Sequence, residues 1–115
     1  MKARSFIIVA AMLGASAAQA HHGWSSYDNH ETVTLSGTIT EASYTYPHAT
    51  IRLQTADKIW LAVLAPPARM SSRGLPGDSL RVGAAVTVEG YASRRDPNEL
   101  RAERITLDQR TVELR

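Results

Sequence analysis

Apolar and polar positions alternate most clearly over residues 32–40, Thr-Val-Thr-Leu-Ser-Gly-Thr-Ile-Thr. Val33, Leu35, Gly37 and Ile39 fall on one face, and Thr32, Thr34, Ser36, Thr38 and Thr40 on the other. A period of two, rich in β-branched residues, predicts a strand with one buried face. Gly37 in its middle predicts a bulge or a sharp bend. Tyr44-Thr45-Tyr46-Pro47 breaks the pattern, and Pro47 calls for a turn or an edge because it cannot donate to a central ladder.

Alternation resumes over residues 49–54, with Ala49, Ile51 and Leu53 together. After Ala56-Asp57-Lys58, residues 59–64 are apolar throughout, so the two runs predict a hairpin. Pro66 and Pro67 suit the first turn of a short helix over 66–73, with Gly74 as its cap. A fourth strand is predicted over 82–91, with Val86, Val88 and Gly90 on one side. In the last, 100–107, Leu100, Ala102 and Arg104 share one parity while Ile105 and Leu107 take the other, which predicts a bulge.

About five strands, with one short helix between the third and fourth, predict an all-β domain: a small OB-like antiparallel barrel. Gly37, Gly83 and Gly90 sit where such a barrel bends. An open antiparallel sheet packed on one helix fits the same pattern, because alternation does not specify strand order.

The first 20 residues follow a different logic. Lys2 and Arg4 precede the apolar run Phe6-Ile7-Ile8-Val9-Ala10-Ala11-Met12-Leu13, and Ala18-x-Ala20 supplies small residues for cleavage. Basic start, apolar core and small-residue end, in that order, predict a signal peptide over 1–20 and a periplasmic or secreted protein. The core is too short for a spanning helix, which needs about 20 apolar residues. Cleavage leaves 95 of the 115 residues: an arm over 21–31 and one barrel domain over 32–115.

Charge and cysteine content narrow the function classes. Lys2 and Arg4 account for two of the 13 basic residues, so the mature chain carries 11 of each sign. Such a domain has no global field to draw in nucleic acid or an anionic membrane. The chain has no cysteine, which excludes disulfides, a lipid-modified cysteine and any thiolate metal site.

Four histidines remain as candidate chemistry: His21, His22, His30 and His48. None has zinc-finger or zincin spacing. Cleavage after Ala20 would make His21 the first residue, so that its amine and imidazole could chelate one metal ion. Nitrogen donors of this kind suit Cu(II). Cleavage after Ala18 would leave Gln19-Ala20-His21, a start that also binds Cu(II) or Ni(II). The plainer reading is that two histidines happen to lie beside a cleavage site in a flexible arm.

Ten residues of arm reach at most about 33–36 Å, so folding back along the barrel would bring His21 or His22 to His48. The metal candidates are therefore His21, His22 and His48. His30, beside Asn29 and Glu31, is expected to be solvated, and a turn histidine bonded to backbone is the plainer role for His48. Trp24 and Tyr27 are expected to pack the arm onto the domain. Trp60 is expected in the core. Arg94, Arg95, Arg101, Arg104 and Arg110, interleaved with Glu99, Glu103 and Asp108, read as a solvated salt-bridging face. Neither Ser71-Ser72 nor the Asp96–Glu99 loop offers a nucleophile or a catalytic carboxylate pair, so no enzyme is predicted.

The start Ala20-His21-His22-Gly23-Trp24, the strand 33–39, Tyr46-Pro47-His48-Ala49, residues 76–80 and residues 86–91 together resemble one family. It consists of small exported bacterial proteins with a domain of unknown function, which begin Ala-His-His-Ser after cleavage and carry Thr-Asn-Pro-His at the first hairpin. Here Gly23 stands in place of that serine and Tyr46 in place of that asparagine. The resemblance implies an OB-like barrel in the periplasm and puts the amino-terminal histidines and His48 in recurrent motifs. It implies no activity. Two functions follow as expectations. One is a copper-binding protein without catalysis. The other is a metal-free OB-like module that docks a protein or a small ligand. A copper oxygenase with an amino-terminal histidine brace is a third, and 95 residues leave it little room for a substrate platform.

Overall fold

A computed structural model describes residues 23–115. Six strands are present: β1 (Val33–Ser43), β2 (Thr50–Gln54), β3 (Ile59–Val63), β4 (Ala85–Ala92), β5 (Glu99–Leu107) and β6 (Arg110–Glu113). One short helix, α1 (Pro67–Ser72), joins β3 to β4. Antiparallel pairs link β1 to β2, β2 to β3, β1 to β4 and β4 to β5. Parallel pairing of Leu61, Ala62 and Val63 with Glu99, Leu100 and Arg101 closes the five strands into a barrel. The open sheet that the alternation also allowed is thereby excluded.

The inward faces follow the sequence pattern. Ile39, Ile51, Leu53, Ala62, Val86, Val88, Leu100, Ala102, Ile105 and Leu107 fill the interior. Trp60 is half-buried and packs against this core, with the Lys58 ammonium 4.2 Å from its ring centre. The predicted bulge in β5 is real: Arg104 faces Glu89 while Ala102 faces Gly90, which leaves Glu103 as the extra residue. That single insertion moves the inward parity from Leu100 and Ala102 to Ile105 and Leu107. A second irregularity lies at Thr40, between Ile39 and Glu41.

Glycine is required where two backbones meet. A Cβ on Gly37 would run into the carbonyl oxygen of Gln54, and one on Gly90 into that of Arg101. Both sites are the close approaches a small barrel needs to turn its sheet.

The sixth strand was not legible in the alternation. Asp108 and Gln109, at φ 51° and 63°, form a tight turn that sends β6 back along β5. Leu114, just beyond, is buried in the core. Arg69 and Arg73 of the helix region donate to the carbonyls of Leu114 and Glu113, at 3.0 and 2.6 Å. The C-terminal segment and α1 therefore close one end of the barrel together.

Candidate functional site

His48 lies two residues before β2 and shares the outward parity of Thr50. Val63 pairs with Thr50 on one side and with Arg101 on the other, which brings the start of β2 near the start of β5. There Arg101 Nη2 sits 3.2 Å from His48 Nε2. A guanidinium can only donate, so Nε2 accepts and the neutral imidazole carries its proton on Nδ1.

Arg101 was expected on a solvated face, and the structure corrects this. Only 5 % of it is exposed. Leu100 and Ala102 point inward, so Arg101 lies on the outside of the barrel, and the arm covers it there. Its guanidinium carbon is 4.3 Å from the centre of the Trp24 ring, and that of Arg115 is 4.4 Å away. Burial pulls the Arg101 pKa down, opposed by the nearby Tyr27 and reinforced by the like charges of Arg69 and Arg115. Cation–π contact with Trp24 compensates part of that desolvation. Elsewhere in the arginine-rich third, Arg104 forms the expected ion pairs, with Glu89 and Glu113 at 3.0 Å each, whereas Arg110 donates to the Gly74 carbonyl at 2.6 Å.

The arm is fastened by backbone and side chain together. Asp28 N–H donates to the Ala92 carbonyl at 2.8 Å, and Arg94 N–H donates to that of Ser26 at 3.0 Å. Tyr27, 1 % exposed, donates its hydroxyl to Glu99 at 2.6 Å. Trp24 meets Tyr91 edge-on, with ring centres 6.1 Å apart. Tyr91 is the cross-strand neighbour of Arg101, so the register of β4 on β5 places Trp24 over the arginine. Trp24 and Tyr27 thus anchor the arm as their aromatic character predicted. His30 is exposed, with its backbone N–H on the Asp28 carboxylate.

Burial pushes the Tyr27 phenol well above its ordinary range, and the hydrogen bond to Glu99 pushes it further. The protonated phenol is thus the form favoured by folding. Its contribution is whole below the usual tyrosine pKa of about 10 and is lost as pH rises through the raised folded value. Tyr27→Phe removes a hydrogen bond to a carboxylate, worth about 1.5–3 kcal/mol. We expect exchange of the Asp28 amide to quicken in this variant while exchange at Val88 stays slow. Equal slowing or quickening at both would mean that the arm and the barrel open as one unit.

Of the predicted metal candidates, His48 is in place beside the arm, while His21 and His22 lie outside the described residues. Among the described residues no three histidine, aspartate or glutamate side chains come together as a metal site. The part sequence reasoning missed is Arg101, whose position between inward-facing Leu100 and Ala102 gave no sign that the outer surface is covered.

Strand order, parallel closure between the third and fifth strands and a helix before the fourth define a five-stranded OB-type barrel. The chain belongs to the Family of unknown function (DUF6152), whose model matches residues 9–100. None of the curated proteins matches the chain. Solved structures share the fold. A crystal structure of TiaS in complex with a transfer RNA and ATP aligns with a TM-score of 0.53 and 19 % identity, over 70 % of this chain and 19 % of that one. A ZRD-deleted mutant of TiaS in complex with agmatine aligns with a TM-score of 0.55 and 17 % identity, over 76 % and 27 %. This chain spans only about a fifth to a quarter of those proteins, and identity this low speaks to the fold alone. Among the described residues no helix is long and apolar enough to cross a membrane.

Proposed function

We propose that the protein is an exported, non-catalytic Cu(II)-binding domain that holds the ion at the amino terminus created before His21. The ligands in this reading are the His21 amine and imidazole, His22 and, as a later ligand, His48. The observation that carries it is the docking of Trp24 on Arg101, itself 3.2 Å from His48. In this reading His22, two residues before Trp24 in the chain, reaches that cluster, since two residues span at most about 7 Å. A metal requires the neutral imidazole of His48, the form that accepts from the Arg101 guanidinium. To bind copper, its Nε2 has to exchange the Arg101 N–H for the ion.

One Cu(II) per chain is expected by titration of the processed protein, with several nitrogen ligands in its electron paramagnetic resonance spectrum. Affinity should fall with pH as protons compete for imidazole and amine. One extra residue before His21 should weaken binding by at least about 100-fold, since loss of even an outer-shell partner costs 10- to 100-fold. His30→Ala should bind as the native chain does. Native affinity in the extended chain would overturn an amine-based site, and native affinity in His48→Ala would confine the site to the arm. A second reading, the metal-free module, is favoured by one feature beside the arm: an arginine-lined hollow.

A further inference from the structure

We propose that the hollow between the arm and the C-terminal segment binds a small organic carboxylate carrying a planar ring. The space is about 380 Å³ and is bounded by Trp24, Tyr27, Asn29, Tyr91, Arg94 and Arg115. That volume lies in the range of small-molecule sites, roughly 300–1,000 Å³. It is assembled from three separate pieces of chain: the arm, the end of β4 with the loop after it, and the last residue.

Charge selects the ligand's sign. Arg94 and Arg115 line the hollow, and Arg101 lies against the Trp24 ring. Two of the nearby carboxylates, those of Glu103 and Glu99, are already engaged. Glu103 accepts from the Tyr91 hydroxyl at 2.8 Å and pairs with Arg115 at 3.6 Å. Glu99 accepts from Tyr27. Arg94 makes no ion pair among the described residues, and an arginine fork matches a carboxylate with two parallel hydrogen bonds.

Ring chemistry selects the ligand's body. Trp24 and Tyr91, 6.1 Å apart and nearly perpendicular, wall the hollow with aromatic carbon against which a planar apolar group can pack. The Asn29 amide adds a donor and an acceptor at the rim. A bare inorganic anion would leave the rings unused, and a neutral aromatic would leave the arginines unused.

The site does not depend on copper, so its test uses processed protein freed of metal on a chelating resin. Calorimetric titrations with benzoate, benzamide and acetate separate charge from ring. Benzoate should saturate one site with a Kd below about 1 mM, at least tenfold tighter than either other probe, and should weaken with added salt. Arg94→Gln, an exposed loop change that leaves the fold intact, should weaken benzoate about tenfold. Arg52→Gln, outside the hollow, should not. Failure of benzoate to saturate overturns the proposal. So does benzoate binding equalled by benzamide or by acetate, or unchanged in Arg94→Gln.

Discussion

Val88→Asp is expected to leave no folded barrel at 25 °C, seen as loss of the β signal in far-ultraviolet circular dichroism and of the thermal transition. Val88 is 0 % exposed, between Leu35 on β1 and Ile105 on β5. The variant loses about 1.5–3 kcal/mol of apolar burial. It also buries a carboxyl group with no partner, and its neutral form alone costs several kcal/mol. Domains of this size are stable by only about 5–15 kcal/mol in total. Thr38→Asp, on the exposed face of the same sheet, should stay within about 0.5 kcal/mol of the native chain. Leu35 shares the inward face with Val88 but is only half-buried. Its aspartate variant should therefore fall between the two. A native-like melt for Val88→Asp would mean that the interior has been assigned to the wrong face.

Gly90→Ala is the second large effect, and it links stability to the site. The new methyl carbon would run into the Arg101 carbonyl oxygen and lie 2.8 Å from the Ala102 Cα. Both obstacles are backbone, so no rotamer relieves them. Strands β4 and β5 have to part beside the bulge, at a cost at or above the roughly 1–3 kcal/mol of ordinary overpacking. The melting midpoint should drop by about 10 °C or more, at 4–8 °C per kcal/mol for a domain this small. Arg101 moves with its backbone, so its contacts with Trp24 and His48 should loosen too. Exchange at the Asp28 amide reads that second effect. A midpoint within about 2 °C of native would show that the strands part freely and that the close approach is not a constraint.

The strands that alternate were legible because burial of one face imposes a period of two on the residues themselves. The β5 bulge was legible for the same reason: a change of parity within one strand has no other reading. The sixth strand escaped because its turn, Asp108-Gln109, lacks the glycine or asparagine that usually marks a two-residue hairpin with positive φ. At four residues, β6 is also too short to establish a period.

By itself the sequence determined an all-β domain, the position of the short helix α1, most of its inward residues, the arm's aromatic anchors and membership of an uncharacterised family. These depend on local order along the chain: hydrophobic period, proline and glycine placement, and motif. Only the tertiary structure decided that the sheet closes, through three parallel pairs between β3 and β5. Closure brings His48 to Arg101 across 53 positions of sequence, and the arm then lays Trp24 over that arginine. An outward-facing charge is solvated or covered according to what crosses above it. Alternation along its own strand records which way a side chain points, and is silent on what lies there.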